Sequence, residues 1–195
     1  MSTKNDRRVR KSKESLKKGL IELMNEKSVN NITVKELVHV ADLNRSTFYN
    51  YYYDIPDMLE KLEAEIYNEF LSILELHITK DGLANDIDKE IREFLADMCD
   101  VIRENAEFCK CIFSQNGDIS FLFKLEELVE NHIKDQLRES FDGKVNHLAY
   151  VYSFVKSGYN GILKSWMDGG CVESSQEIAA LTYDLIRGVL DSCKI

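Results

Sequence analysis

Residues 32–59 read ITVKELVHVADLNRSTFYNYYYDIPDML, and this stretch decides how the N-terminal part of the chain folds. Thr33 is a favoured helix N-cap, and Glu36 follows at the spacing of a capping box. The helix that they open is barely two turns long, so it must pack at once on its neighbours. The turn ADLN follows, and Asn44 is suited to cap a third helix that begins at Arg45. The stretch therefore predicts two short helices joined by a sharp turn.

The third helix carries many aromatic residues, with Phe48 and four tyrosines among residues 45–54. Phe48, Tyr51 and Tyr52 lie at i, i+3 and i+4 and face the neighbouring helices, and we expect Phe48 and Tyr52 in the core. The other side and the flanks carry hydroxyl and amide groups, on Ser46, Thr47, Tyr49, Asn50 and Tyr53. Packing and solubility alone are one explanation of this surface. Contact with DNA is the other, because most protein–DNA hydrogen bonds go to phosphate and sugar.

The formal charge of −9 is unevenly distributed along the chain. The first twenty residues hold eight Lys or Arg against two Asp or Glu, a net of +6, whereas residues 61–195 hold 14 against 25, a net of −11. Residues 1–12 show no apolar periodicity and are expected to form a flexible basic arm, which includes Arg10 and Lys11. Such an arm is either a solvated tail or the part of the chain that meets a polyanion.

Apolar residues recur at helical spacing along most of the remaining chain, and no long strand pattern occurs. We expect an all-α protein of about nine helices. The N-terminal domain, residues 1–54, contains the basic arm and a three-helix helix-turn-helix module. The larger domain, residues 55–195, contains the other helices and is expected to regulate and dimerise. Its helices are expected at about 55–79, 86–105, 107–113, 119–141, 145–167 and 175–193.

Several classes of protein are disfavoured by the sequence. No apolar run is long enough for a membrane helix, and the five cysteines fit no disulfide framework, so a reduced, cytosolic protein is expected. Cys109 and Cys111 lie two residues apart, but on a helix they point to different faces, so inert buried thiols are favoured over a zinc site. No nucleophile elbow, phosphate loop or zincin motif occurs. We therefore expect no catalytic residues, no metal and no cofactor.

Residues 32–59 resemble the DNA-binding signature of TetR-type transcriptional regulators, in which a capping Thr opens the second helix and an STFY block forms the third. The resemblance is clear over residues 12–62 and weaker beyond them. There YSFVKSGYNGILKSWMDGG, followed by SSQEI, resembles the last two helices of a family branch with a Firmicutes-type C-terminal domain. The resemblance implies a DNA-binding regulator that acts as a homodimer.

The resemblance also implies individual roles. It gives phosphate contacts to Thr33, Tyr49 and Tyr51, and base or groove contacts to Arg45, Ser46 and Asn50. With Thr47 at the DNA edge, Asn44 at the helix start and the basic arm, the residues expected at DNA are Thr33, Asn44, Arg45, Ser46, Thr47, Tyr49, Asn50, Tyr51, Arg10 and Lys11.

Two positions depart from the family pattern. Many members have a phosphate-reaching lysine at the start of the fourth helix, where this chain has Ile55 followed by Pro56. A histidine common in the third helix is Tyr51 here. The fourth helix should therefore contribute less to DNA affinity than in relatives, so the basic arm is expected to contribute more.

Small residues at spacings of three and four mark one side of the penultimate helix. Glycine inside a helix costs about 1 kcal/mol relative to alanine, so close helix–helix approach is the expected reason. This approach is either within one protomer or, as the resemblance implies, across a two-fold dimer interface built from helices 145–167 and 175–193. The interface residues expected are Ser157, Gly158, Gly161, Ser165, Tyr159 and Trp166.

The larger domain, residues 55–195, is expected to enclose a mainly apolar pocket for a small-molecule effector of unknown identity. Phe94, Met98, Phe113, Phe121 and Tyr150 either line this pocket or fill a core. The predicted function is a DNA-binding regulator, expected to repress, that binds a pseudo-palindromic double-stranded operator. One alternative is a protein of this fold that acts as a co-regulator or interaction adaptor, for which Ile55 is the support. A small helical enzyme or carrier is the other, and it lacks a polar constellation.

Overall fold

The computed structural model describes residues 4–77, 87–114, 118–141 and 147–193. These residues form α-helices and one short 3₁₀ turn, Val29–Asn31, and no strand. The all-α fold class is therefore confirmed. The helices are α1 Lys4–Glu26, α2 Val34–Val40, α3 Arg45–Tyr49, α4 Ile55–His77, α5 Ile87–Glu104, α6 Ala106–Ile112, α7 Ile119–Phe141, α8 Leu148–Asp168 and α9 Ser175–Cys193.

The first helix corrects the expectation of a flexible basic arm. α1 begins at Lys4, so Arg10 and Lys11 lie on its exposed surface rather than in a disordered tail. Lysine and arginine are good helix formers, and Arg10 pairs with Glu14 one turn later at 3.7 Å. Periodicity missed this segment because it has few apolar residues, although nothing in it breaks a helix.

The chain folds into two compact units. One comprises residues 1–65 and 111–121, and the other comprises residues 66–110 and 122–195. We call the first the N-terminal unit and the second the body. The division falls inside α4, ten residues beyond its start, and the end of α6 with the start of α7 belongs to the N-terminal unit.

Helices α1 and α2 pack closely in the N-terminal unit because Gly19 lies between them. A Cβ atom at Gly19 would stand 3.2 Å from Leu37 Cδ1 and 3.4 Å from the Cβ atom of Ala41. Buried Leu16 and Leu20 lie on the same helix, one turn apart. α2 is too short to be stable alone, so this packing holds it in place.

In the body, α5 and α9 make the most extensive helix–helix contact among the described residues. Leu95, Ala96, Ala179 and Tyr183 form its buried centre. The Arg92 guanidinium lies 4.0 Å from the centre of the Tyr183 ring and also pairs with Asp184 at 2.8 Å. These apolar contacts, with the Arg92 contacts at their edge, hold α9 against α5. We call this α5–α9 contact the seam.

Candidate nucleic-acid interface

The start of α2 is closed by the capping box expected from the sequence. The Thr33 hydroxyl accepts a hydrogen bond from the Glu36 amide at 3.3 Å, and the Glu36 carboxylate accepts from the Thr33 amide at 3.0 Å. Lys27 Nζ lies 2.6 Å from the same carboxylate. The hydrogen bonds that the carboxylate accepts, first from Lys27 and then from the Thr33 hydroxyl and amide, lower the pKa of Glu36 from its ordinary value of 4.5 to about 2.

The Thr33 hydroxyl also donates to Glu36 at 2.7 Å. Its proton is thus already used inside the protein. A phosphate contact at Thr33 would have to share or replace this hydrogen bond. The main role of Thr33 in the structure is therefore to cap α2.

Two aromatic residues anchor α3. Phe48 is fully buried and Tyr52 nearly so, as expected from their spacing. Their ring centres lie 5.6 Å apart, and the Tyr49 ring meets Phe48 edge-on at 5.5 Å. Burial raises the pKa of Tyr52 to about 12, so its phenol stays neutral. A five-residue helix cannot hold its own direction in water, and these two side chains fix it.

The other residues of α3 and its ends face solvent. Tyr49 is 58% exposed and Tyr53 is 82% exposed. Asn44, Arg45, Ser46 and Asn50 are exposed, whereas Thr47 and Tyr51 are half-buried. Asn44 occupies the N-cap position, but its side chain makes no capping hydrogen bond. The structure thus places a cation, amides and hydroxyls along a short helix whose apolar side is locked into the core.

The start of α4 has an isoleucine, Ile55, where the resemblance to TetR regulators implies a lysine. Ile55 is only 3% exposed, so the residue that replaces the family lysine belongs to the core. Its neighbour Asp54 caps the helix, because its carboxylate accepts from the Asp57 amide at 2.8 Å.

A polar network joins the end of α3 to the first turns of α4. The Asp57 carboxylate accepts from the Tyr53 amide at 2.8 Å and from Lys61 Nζ at 2.8 Å. Lys61 Nζ also donates to the Tyr51 carbonyl at 3.2 Å and lies 5.5 Å from the centre of the Tyr52 ring. These hydrogen bonds, chiefly from Lys61 and then from Tyr53, lower the pKa of Asp57.

The body carries a second exposed surface on α8 and α9. Ser157, Gly158, Gly161 and Ser165 all face solvent, and a Cβ atom at Gly158 or Gly161 would meet no described atom within 4 Å. Close approach within the protomer therefore does not explain these glycines among the described residues. Large apolar side chains are also exposed on both helices: Tyr150 and Phe154 on α8, at helical spacing from the small residues, and Leu181 and Leu185 on α9.

Two residues expected in that surface lie inside the protomer instead. Trp166 is buried, and its Nε1 donates to the Glu173 carbonyl at 3.1 Å, across the turn that joins α8 to α9. Tyr159 packs against the seam between α5 and α9. Their aromatic character suggested an interface, but on α8 they lie on the core-facing side.

The residues expected to line a pocket are divided between the two units. Phe94 and Met98 lie in the body, where the Phe94 ring meets His77 edge-on at 5.8 Å. Phe113 and Phe121 lie in the N-terminal unit. Tyr150 is 78% exposed in the first turn of α8 and does not belong to a protomer interior.

Other expected features are placed as follows. Cys109 and Cys111 are buried thiols, and Cys111 Sγ lies 3.3 Å from Asn25 Oδ1. Within the described ranges, no group of three or more His, Cys, Asp or Glu side chains could hold a metal ion. No helix in the part of the chain that the structure describes is long and apolar enough to cross a membrane.

Residues 89–188, just over half of the chain, match the family of C-terminal domains TetR_C_8, described as transcriptional regulator C-terminal region. The chain belongs to the TetR family of transcriptional regulators. Membership makes it a regulator of transcription and not an enzyme. No curated protein matches the chain.

Solved structures of TetR regulators share the fold at low sequence identity. A TetR regulator from Streptococcus agalactiae is 19% identical, with a TM-score of 0.55 over 93% of this chain and 97% of that one. SmeT of Stenotrophomonas maltophilia is 14% identical, with a TM-score of 0.63 over 94% and 90%. FadR of Bacillus subtilis is 12% identical, with a TM-score of 0.61 over 89% and 96%.

Three residues at the candidate interface were not among those expected there. Tyr53 has a sequence signal, because it projects from the outward side of α3. Asp57 and Lys61 have a weaker one, since an Asp–Lys pair at i, i+4 in a first turn usually indicates only helix stabilisation. Sequence spacing does not reveal that they bond the backbone of the segment that joins α3 to α4.

Proposed function

We propose that this TetR-family protein is a cytosolic repressor that binds a pseudo-palindromic operator as a homodimer and is released by a small-molecule effector. Each protomer would place α3 in the major groove, in successive grooves about 34–36 Å apart or at a family variant of that spacing. The groove admits an α-helix and presents base edges that distinguish all base pairs.

One observation carries the DNA-binding proposal, namely the division of α3 into a locked side and an exposed side. Phe48 and Tyr52 are buried, while Arg45, Ser46 and Asn50 face solvent. Arg is suited to bidentate contact with guanine, and Asn to adenine. Exposed Tyr49 and the basic side chains of α1, including Arg10 and Lys11, are suited to phosphate.

A mobility-shift titration against the DNA upstream of the protein's own gene tests this proposal, at about 50 and 200 mM salt. If the protein makes six to ten phosphate contacts, raising the salt between these two concentrations should lower its affinity about 10³- to 10⁵-fold. A scrambled duplex of the same length is the control for specificity. Binding that does not distinguish the two duplexes, or that does not depend on salt, would count against the proposal.

The exposed apolar surface of α8 and α9 supports the homodimer. Tyr150 and Phe154 lie at helical spacing from the small residues of α8, where a second copy could approach closely, and Leu181 and Leu185 are exposed on α9. Large exposed apolar patches on soluble proteins commonly mark interaction sites. A four-helix arrangement of two α8–α9 pairs would bury these side chains.

An apolar effector is supported by the body, where Met98 is buried and Phe94 half-buried. The FadR structure from B. subtilis contains stearoyl-CoA, which suggests a first compound to test. An effector acts only through its different affinity for the DNA-binding and the released conformation. Stearoyl-CoA should therefore raise the Tm and weaken operator binding, and coenzyme A alone should do neither. If stearoyl-CoA has no effect on either, the effector belongs to another class.

A second candidate function is an interaction adaptor of the same fold with weak or no operator binding. Buried Ile55, in place of the family lysine, favours it. A protein that dimerises but shows no salt-dependent binding to its own upstream DNA would support the adaptor over the repressor.

A further inference from the structure

The contacts at the junction between α3 and α4 act on backbone atoms of the candidate DNA-binding residues. The Asp57 carboxylate holds the amide of Tyr53, and Lys61 Nζ holds the carbonyl of Tyr51, at 2.8 and 3.2 Å. The two side chains are also bonded to each other at 2.8 Å. A single ion pair on α4 therefore forms hydrogen bonds to the backbone on both sides of Tyr52, in the segment that follows α3.

One of the two tyrosines whose backbone is held in this way is exposed, and the other is half-buried. Tyr53 is 82% exposed and Tyr51 is half-buried, while Tyr52 between them is buried. Backbone atoms outside a helix gain no direction from helical hydrogen bonds, so a side chain at such a position is directed by whatever holds its peptide groups. Here the Tyr51 amide donates to the Phe48 carbonyl at 2.9 Å, while the Asp57–Lys61 pair holds the Tyr51 carbonyl and the Tyr53 amide.

We propose that Asp57 and Lys61 are positioning residues, which hold the backbone of Tyr51 and Tyr53 so that both phenols can reach DNA phosphates. The proposal rests on the proposed DNA-binding function. It adds Tyr53 to the contacting residues and gives Lys61 a role other than a phosphate contact. The simpler alternative is that Lys61 attracts DNA phosphate directly by its positive charge, and that the negative charge of Asp57 only reduces this attraction.

The two accounts predict opposite signs for the loss of Asp57. Removal of a negative charge near DNA strengthens binding if only charge matters, because the duplex is a polyanion. If the two residues position the backbone, loss of their hydrogen bonds weakens binding, because the Tyr51 and Tyr53 side chains are no longer held towards the DNA. One lost hydrogen bond to phosphate corresponds to about a fivefold change in Kd, and two to about a 25-fold change.

The experiment measures operator affinity of wild type, Asp57→Ala and Glu60→Ala by fluorescence anisotropy. Glu60 is an exposed acid on the same helix, so its removal is a matched change of charge. We expect Asp57→Ala to bind about 5- to 25-fold more weakly than wild type and Glu60→Ala to bind equally or slightly more tightly. Thermal unfolding followed by circular dichroism checks that each variant is folded at the assay temperature.

Lys61→Met provides a second measurement, the dependence of affinity on salt. A direct phosphate contact by Lys61 predicts that the slope of log K against log salt falls in magnitude by about 0.9. The positioning role predicts weaker binding with the slope unchanged. It also predicts that the variant with both substitutions binds no more weakly than Lys61→Met alone, because the pair acts as a unit.

The outcomes separate the two claims. Should wild type fail to bind its upstream DNA, the repressor proposal fails and the positioning role fails with it. Should wild type bind, and folded Asp57→Ala bind as tightly or more tightly, only the positioning role is overturned. A reduced salt slope in Lys61→Met would overturn it as well.

Discussion

Substitution of Leu181 and Leu185 by aspartate should abolish the homodimer. The two side chains are 50% and 52% exposed in the protomer. Full burial of a leucine stabilises by about 1.5–3 kcal/mol, so burial of the exposed half contributes about 1 kcal/mol for each. A two-fold dimer contains four such side chains, about 4 kcal/mol in sum. That corresponds to roughly a thousandfold in Kd, before the cost of burying four carboxylates is added.

Sedimentation velocity with fluorescence detection at about 0.1 μM protein measures the change, since a nanomolar dimer weakened a thousandfold to a micromolar Kd would be mostly monomer at that concentration. Leu76→Asp is the control, because Leu76 is an exposed leucine on α4 and lies outside the proposed interface. The account predicts a monomer for the double variant and a dimer for the control. A double variant that sediments as a dimer would refute the assignment of this surface.

Four further predictions concern the N-terminal unit. Thr33→Ala should lower the free energy of unfolding by about 0.5–2 kcal/mol, measured by urea denaturation. Because the folded-state pKa of Glu36 is about 2, below its ordinary 4.5, the stabilisation from Glu36 is complete above about pH 5 and is lost as the pH falls towards 2. The stability difference between wild type and Glu36→Gln should accordingly disappear over that range, and a constant difference would contradict the assigned contacts. Gly19→Val should lower the Tm by several degrees, because even a Cβ atom there stands 3.2 Å from the neighbouring helix; an unchanged Tm would show that α1 and α2 can separate freely. On a panel of duplexes, Tyr49→Phe should weaken binding to all sequences by a similar modest factor, whereas Arg45→Ala should also change which bases are preferred. Equal behaviour of these two variants would contradict the division of roles.

The helix-turn-helix was predictable because several local signals agree on it. Thr33 and Glu36 identify the start of α2 by a side-chain hydrogen bond that needs no other part of the chain. The spacing of Phe48 and Tyr52 identifies the buried side of α3 in the same local way. Such features depend on neighbours in sequence, which is why the sequence alone was sufficient for them.

The features that the sequence did not predict depend on contacts or on weak local preferences. α1 extends through the basic segment by intrinsic helix preference, which apolar periodicity does not detect. Trp166 faces inward because the turn after α8 brings the Glu173 carbonyl to its indole nitrogen. Besides pairing with each other, Asp57 and Lys61 bond backbone atoms, and no pattern of residue types reveals those contacts.

The central claim, that the outward side of α3 lies against duplex DNA, is tested most directly by site-specific photocrosslinking. A photoreactive phenylalanine analogue is placed at Tyr49, which is exposed on α3, and in a separate protein at Phe123, an exposed aromatic residue of the body. Both proteins are irradiated in complex with labelled upstream DNA under conditions where binding is complete. The account predicts a crosslink to DNA from position 49 and none from position 123. A complex that binds DNA fully but crosslinks only from position 123, or from neither position, would contradict it.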